Sequence, residues 1–575
     1  MIQGIGASNG ISIARVRRYE KPEITVVEDH NIDIENQIDR FEKSMERSID
    51  DLEGIRKRML ESANQETADI FEAHIEILKD QELVSGVRNK IRDEAVNADY
   101  AFQSILDTYI TMFENMDNDY FRERAADMKD LGQRVVMHLQ GIEMEPLSNI
   151  QEEVVLVAKD LTPSDTAQLD RKMIKGFVTD VGGRTSHSAI MARSLEIPAV
   201  VGTKNAFALL QDGDMVILDG TEGVVLVNPG EHVVEEYQEK ILALGEEKHY
   251  FKTFRDKKSM TMDGRHVELG ANIGGVEDVD SALANGAECI GLFRTEFLYM
   301  ESKVHPSEEV QYEAYRRVLE KMGDKPVVVR TLDIGGDKEL DYLKMEHELN
   351  PFLGNRALRL CLNTPELFRT QLRALLKASR WGNLHIMLPM VATIDELREV
   401  KGLLEEIEKE LLEEDASLGI GYKLGIMVEI PATAILADVF AKEVDFFSIG
   451  TNDLIQYTFA ADRMNEKVAY LYQPYNPSLL RLIKMVADAA HKEGKWVGMC
   501  GEMAGEVQAL PLLMGLGLDE FSMSAPSILR IRALLSKVRM EDAAQLAEAA
   551  LGMENQEQVG TMIKQYMDKL EDSNG

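Results

Sequence analysis

Phe446-Phe-Ser-Ile-Gly-Thr-Asn-Asp453 decides the fold. A short apolar run with no clean alternation reads as a strand buried on both faces, the kind found in parallel sheets covered by helices. It ends in Gly450 and then in polar side chains, at the edge where such sheets collect ligands. Seven further segments repeat the pattern: Val267-Glu-Leu-Gly-Ala-Asn272, Cys289-Ile-Gly-Leu-Phe-Arg294, Pro326-Val-Val-Val-Arg330, His385-Ile-Met-Leu-Pro-Met390, Gly425-Ile-Met-Val-Glu429, Trp496-Val-Gly-Met-Cys500 and Glu520-Phe-Ser-Met-Ser524. Helical stretches separate them. Strands alternating with helices over roughly 300 residues predict a (β/α)8 TIM barrel across residues 259–575.

Polar residues gather at the C-terminal ends of these strands: Asn272, Arg294, Glu296, Arg330, Asp333, Glu429, Asn452, Asp453, Cys500, Glu502 and Ser522. Barrel enzymes build their sites on that face, and a purely structural barrel has no reason to concentrate arginine and carboxylate there. Arg294 and Arg330 carry planar forks that match a phosphate or carboxylate in two-point fashion, and Lys338, Arg356 and Arg463 in nearby loops extend the set. For any one arginine the bland alternative is a rim salt bridge. Glu429 and Asp453 end neighbouring strands, and two hard carboxylates with open positions suit Mg2+; the bland alternative is pairing with those arginines. Cys500, a thiol mostly protonated at neutral pH, can donate a proton there, although a buried inert cysteine is the usual role of the residue type.

Upstream, Val181-Gly-Gly-Arg-Thr-Ser-His-Ser-Ala-Ile-Met-Ala-Arg193 follows an apolar run and opens a helix-compatible segment. It puts His187 in the first helical turn, where free backbone N–H groups favour an added negative charge. Neutral imidazole is a competent nucleophile toward phosphorus. Taken alone, the motif reads more simply as a capped helix start. Short strand-like runs on both sides of it predict an α/β domain formed by residues 1–20 and 147–230. Between its two parts, residues 21–146 are nearly free of proline. Ile34, Ile38, Phe41, Met45, Ile49, Leu52, Ile55 and Met59 trace one apolar helical stripe, which predicts an inserted α-helical bundle. Residues 231–258 read as a helical linker and a candidate hinge.

The formal charge is 64 − 100 = −36. Such a balance argues against nucleic acid or an anionic membrane and suits a basic protein partner. Glu66, Glu72, Asp80 and Glu82 in the helical insert offer a face that such a partner would dock on, or simply a solvated helix surface. The three cysteines, Cys289, Cys361 and Cys500, make no disulfide framework. The opening residues lack a basic start followed by an apolar core, and no run is long enough to span a bilayer. A soluble, cytoplasmic protein is expected.

Gly182-Gly-Arg-Thr-Ser-His-Ser-Ala-Ile190 resembles the phosphohistidine signature of the phosphoenolpyruvate-utilising enzymes. Gly425-Ile-Met-Val-Glu-Ile-Pro-Ala432 and Phe447-Ser-Ile-Gly-Thr-Asn-Asp-Leu-Ile-Gln-Tyr457 resemble that family's barrel signatures. The whole chain is similar to the enzyme I group of the bacterial phosphoenolpyruvate:sugar phosphotransferase system. The resemblance implies autophosphorylation of His187 by phosphoenolpyruvate, then transfer to a histidine of the phosphocarrier protein HPr, the first step of sugar uptake. It implies that Arg294, Arg330, Asn452, Asp453 and Arg463 hold phosphoenolpyruvate, with Arg356 and Lys338 in support. It further implies that Glu429 and Asp453 bind Mg2+, that Cys500 protonates the enolpyruvate carbon, that Thr166 orients the imidazole, and that the barrel forms a homodimer. The competing readings are a dikinase-like or synthase-like enzyme without its nucleotide domain, and a regulatory phosphorelay protein.

Overall fold

Parallel neighbours cannot be joined by a tight turn, and this constraint explains the N-terminal half. The computed structural model describes residues 1–575 except 23, 62–64, 115–118, 143–146, 167, 171, 184–185, 196, 301, 303, 337–339, 341, 344–347, 464 and 573–575. It divides into two compact units, Met1–Gly245 and Glu246–Gly575.

In the first unit the strands are β1 (Ile2–Gln3), β2 (Ile5–Ser8), β3 (Ile11–Tyr19), β4 (Val154–Ala158), β5 (Ile174–Thr179), β6 (Ala199–Val201), β7 (Met215–Asp219) and β8 (Val224–Val227). They form one sheet in the order β1-β8-β7-β3-β4-β5-β6-β2. Three strands precede the helical insert where the sequence suggests one, because Gly4 and the Asn9-Gly10 pair break the opening segment into pieces that pair with different partners. β3 and β4 lie side by side in parallel, and the entire insert is their crossover.

The insert consists of helices Ile34–Glu61, Gln65–Lys79, Gln81–Glu94, Ala98–Glu114 and Asp119–Gln140. Their apolar stripes converge on a core that includes Phe41, Leu52, Phe71, Val87, Phe102 and Val135. Two of its acidic residues have structural work. Asp80 caps helix Gln81–Glu94 by accepting from the Glu82 and Leu83 amides, and Glu72 pairs with Arg56 at 2.9 Å. The side chain of Glu66 lies outside the described residues.

The second unit holds β9 (Glu268–Ile273), β10 (Cys289–Arg294), β11 (Pro326–Arg330), β12 (Asn383–Leu388), β13 (Tyr422–Val428), β14 (Phe446–Ile449), β15 (Trp496–Met499) and β16 (Glu520–Met523). Each pairs in parallel with the next, and β16 pairs with β9, so the sheet closes into the expected barrel. Leu292, Val328, Met387, Met427, Phe446 and Cys500 pack inside it with Trp496, whose ring stacks on Phe446 at 4.6 Å. Helix Glu231–Lys252 runs through the boundary between the units.

Arg532 anchors the chain that follows this helix to the barrel. Its side chain is fully buried, and its guanidinium donates to Ser259 Oγ (2.9 Å), to the carbonyls of Phe254 (3.4 Å) and Arg255 (2.9 Å), and to the Gly286 carbonyl (2.6 Å). Gly286 takes φ +73°, and a Cβ there would fall 2.7 Å from the guanidinium. Removing the donor takes a partner from the part-buried Arg255 and Gly286 carbonyls, while that of Phe254 keeps the Lys257 amide. Arg532→Met should therefore cost the barrel about 3 kcal/mol. Both tryptophans, Trp381 and Trp496, belong to the barrel unit. Urea denaturation followed by their fluorescence reads that loss separately from the first unit, and an unchanged midpoint would assign the anchor no weight.

Candidate active site

The C-terminal ends of the barrel strands surround a cavity of about 1150 Å³. Asn272, Arg294, Glu296, Arg330, Asp333, Arg356, Glu429, Asn452, Asp453, Arg463 and Cys500 all line it. Strand-end and loop residues spread over more than 200 positions thus meet at one mouth, because a closed parallel barrel puts every strand's C-terminus on the same rim. Lys338 lies outside the described residues.

Charge at this mouth is organised around Asp333. One of its oxygens meets Arg330 Nη1 at 2.9 Å, and the other accepts from Arg356 Nη2 at 3.0 Å. Arg330 also donates to Glu296 Oε1 at 2.6 Å, and Arg356 reaches Asp453 Oδ1 at 3.4 Å and the Tyr457 hydroxyl at 3.2 Å. Arg463 approaches Asp453 at 3.9 Å. The arginine–carboxylate pairing allowed for Asp453 in the sequence is therefore present. Burial alone would lower the pKa of both buried arginines, yet the surrounding carboxylates outweigh it and raise them, Asp333 foremost in each case. The Nε atoms of Arg330 and Arg356 are buried and lack protein hydrogen-bond partners.

Glu429 follows β13 and is almost completely buried. Burial, then Asp453 and Asp333, push its carboxyl up to about 8, against the opposing pull of Arg330 and Arg356. One Glu429 oxygen accepts from the Met390 amide at 2.5 Å, and Met390 holds φ +54° to present that amide. Such strain in a non-glycine residue persists only where its surroundings enforce it. Asp453 sits in the first turn of helix Thr451–Phe459, directly after β14. A buried carboxyl whose proton affinity is raised by a neighbouring carboxylate, beside open volume, is a donor that a hard divalent cation satisfies. No group of three or more histidine, cysteine or acidic residues suited to a metal occurs among the described residues, so further ligands would come from substrate and water.

Cys500 follows β15, with its amide donating to the Ile449 carbonyl at 3.2 Å and its side chain 3% exposed. Burial pushes its thiol up to about 11, moderated by the Ser448 hydroxyl. The thiol is therefore protonated throughout the physiological range. Tyr472, Tyr457 and Phe352 escape the sequence reading. Tyr472 donates to Asn452 Oδ1 at 3.0 Å, and the Phe352 ring lies 5.7 Å from the Arg356 guanidinium and 5.8 Å from that of Arg463. Tyr472 and Phe352 come from segments with no strand or motif to mark them, whereas Tyr457 ends the quoted barrel signature on helix Thr451–Phe459 without being singled out there.

His187 belongs to the other unit. β5 ends at Thr179, and the turn that follows needs Gly182 at φ +117°, with Ser186 Oγ 3.1 Å from where its Cβ would stand. Ser186 then caps helix His187–Ser194, its hydroxyl accepting from the Ala189 amide. The motif's glycine and serine are thereby explained as a turn and a cap that place His187 at the first helical position. The short helix Pro163–Thr166 packs against this one, and buried Thr166 donates to the Thr162 carbonyl at 3.2 Å. Lys21 ties this region to the helical insert, meeting Asp165 at 2.8 Å and Asp130 at 3.2 Å.

Sequence comparison matches the chain to three descriptions: the N-terminal domain of PEP-utilising enzymes over residues 3–124, their mobile domain over 150–223, and their PEP-binding domain over 248–540. The mobile domain contains His187 and the PEP-binding domain contains the whole barrel mouth. The chain is 55% identical over 564 residues to phosphoenolpyruvate-protein phosphotransferase of Bacillus subtilis (strain 168), covering 98% of this chain and 99% of that one. It is 55% identical to the phosphoenolpyruvate-protein phosphotransferase of Geobacillus stearothermophilus, covering 98% and 97%. For that of Staphylococcus aureus the identity is 52%, covering 99% of each chain. The chain belongs to the phosphoenolpyruvate-utilising enzymes, among the phosphoenolpyruvate-protein phosphotransferases, the enzyme I group of transferases.

Proposed function

We propose that His187 takes its phosphoryl group from phosphoenolpyruvate bound in the barrel mouth and passes it to a histidine of the phosphocarrier HPr. The convergence of four arginines, two metal-suited carboxylates and a buried protonated thiol on one cavity carries this reading. Arg294, Arg330, Arg356 and Arg463 with Asn452 bind the phosphate and carboxylate, with Lys338 as a further cation. Glu429 and Asp453 would hold Mg2+, whose charge offsets that of the phosphoryl oxygens when it is bound.

In the transfer, an imidazole nitrogen of His187 forms the new bond to phosphorus as the bond to the enol oxygen breaks. Cys500 gives its proton to the methylene carbon, and pyruvate results. Thr166, on the turn packed against the His187 helix, orients the imidazole. We also infer a homodimer formed through the barrel. No helix among the described residues is long and apolar enough to cross a membrane. We place the enzyme in the cytoplasm, and the exposed acids of the insert suit a basic carrier, with Asp80 and Glu72 already occupied in holding the helices.

His187→Ala should fold and bind phosphoenolpyruvate yet acquire no acid-labile phosphate from labelled substrate; undiminished labelling would place the phosphorylation elsewhere. Cys500→Ala should retain phosphoenolpyruvate binding and lose about 10²-fold or more in turnover. Because the parent thiol is raised to about 11, the donor form is present below that value and is lost only as pH rises through it. Protonation of enolpyruvate should thus stay flat from about pH 6 to about pH 9. A fall centred near the ordinary thiol value would show an exposed, unperturbed cysteine. Asp453→Asn should raise the magnesium needed for half-maximal activity by at least the roughly tenfold that losing an outer-shell partner costs. A magnesium titration unchanged from the parent would remove Asp453 from the metal site.

A further inference from the structure

A carboxyl group inside the barrel has no part in the chemistry described so far. Glu520 on β16 is 2% exposed. Three glycines on three other strands vacate the space it fills. A Cβ at Gly498 would fall 2.1 Å from its Oε2, one at Gly291 2.2 Å from its Oε1, and one at Gly270 2.7 Å from its Oε1. Cys289 Sγ stands 3.8 Å from Oε1. An aliphatic side chain would fill this volume without the cost of desolvating a carboxyl, so packing alone does not account for it.

Strand register places the group under the active-site thiol. Gly498 pairs with Ser448 on one side and with Glu520 on the other, and Glu520 pairs in turn with Glu268. Gly498 and Cys500 lie two residues apart on one strand and so share the interior face, about 6.6 Å apart along it. Ser448 stands on one side of the bare Gly498 position, about one strand spacing of 4.8 Å from it, and the Glu520 carboxyl reaches into that position from the other side. Ser448 Oγ is buried without a hydrogen-bond partner at ordinary distance, yet lies near enough to Cys500 to moderate its thiol. Glu268, in the first position of β9, is only partly buried and so leads from this layer toward the N-terminal rim.

We propose that Glu520 and Ser448 return a proton to the Cys500 thiolate after each protonation of enolpyruvate, making the barrel interior a relay that ends at the active-site thiol. This rests on Cys500 as the proton donor. The Cys500 S–H bond breaks as the C–H bond forms on the methylene carbon. Ser448 then gives its hydroxyl proton to the thiolate and takes the carboxyl proton of Glu520. The Glu520 carboxylate is reprotonated from water by way of Glu268. Substrate and product occupy the cavity side of Cys500, so the interior side is the route left open while they are bound.

The electrostatics agree. The groups facing Glu520 are Glu268 and Cys289, with Cys500 one layer above, Glu288 behind Cys289, and His385 tilted against Trp496 at 6.0 Å and held neutral by burial. Burial and then Glu268 raise the carboxyl well above its ordinary range, against the lesser pull of Cys289 and the Met499 amide. Glu520 is therefore kept protonated and ready to give a proton.

The test uses the full chain with phosphoenolpyruvate, Mg2+ and the phosphocarrier, following pyruvate by rapid quench. Glu520→Gln preserves the shape and removes the acid. It should form the first equivalent of pyruvate at the parent rate, because Cys500 starts protonated, and then run later turnovers about tenfold slower. KM for phosphoenolpyruvate should not change, and the slow phase should acquire a larger solvent deuterium isotope effect than the parent. Ser448→Ala should show the same split and decides the matter if the glutamine variant does not fold. Later turnovers at the parent rate, or first and later turnovers reduced by the same factor, would overturn the relay. Parent-like turnover in Cys500→Ala would instead refute the thiol as donor, which separates failure of the relay from failure of the reading beneath it.

Discussion

Asp333 holds two buried guanidinium groups within reach of one ligand, and the chemistry of the barrel mouth depends on it. Arg330 and Arg356 would repel one another in a low-dielectric site, and each would be costly to bury alone. A carboxylate that meets one with each oxygen makes the pair tolerable and fixes their forks. Glu296 and Asp453 extend the same logic outward. The mouth is thus a preorganised balance of charge, and on the proposed reading an incoming dianion and a cation would exchange partners with groups already in place. Preorganised charges need little rearrangement as the transition state forms, and this is where most electrostatic catalysis originates.

The barrel interior is as specialised as its rim. Small residues on β9, β10 and β15 make room for a carboxyl, and a hydroxyl on β14 sits beside it. Above them a thiol is held protonated by burial. The division within the chain follows from this. Carbon chemistry needs a dry, fixed pocket, which a closed barrel provides, whereas the proposed phosphohistidine would have to be presented to another protein. The histidine therefore lies on a turn and short helix in a separate unit, connected by the helix Glu231–Lys252.

Much of this was legible in the residues alone. Eight apolar runs with polar ends foretold the barrel because a strand buried on both faces leaves a distinctive pattern, and all eight appear as strands of one closed sheet. Arg294, Arg330, Glu429, Asn452, Asp453 and Cys500 could be singled out because they end strands or follow directly. Tyr472 and Phe352 could not, since their segments carry no period, and Tyr457, although inside a quoted motif, acquires meaning only from what it touches. The N-terminal sheet was harder still. Its order runs out of sequence, and its first strands are too short for hydrophobic pattern to separate them.

Sequence by itself determined the barrel, the helical insert, the glycine turn before His187 and the residue types available for catalysis, because each depends on local period, local backbone freedom or position at a strand end. Tertiary structure alone decided which charges neutralise one another. Asp333 could have served as a metal ligand, a base or a bridge, and only the closure of β9 through β16 put both arginines on its two oxygens. It alone also brought Glu520 beneath Cys500, since their relation depends on the register between neighbouring strands and on a missing side chain at Gly498. Proton affinities follow from such neighbours and from burial, and neither is a property of a residue's place in the chain.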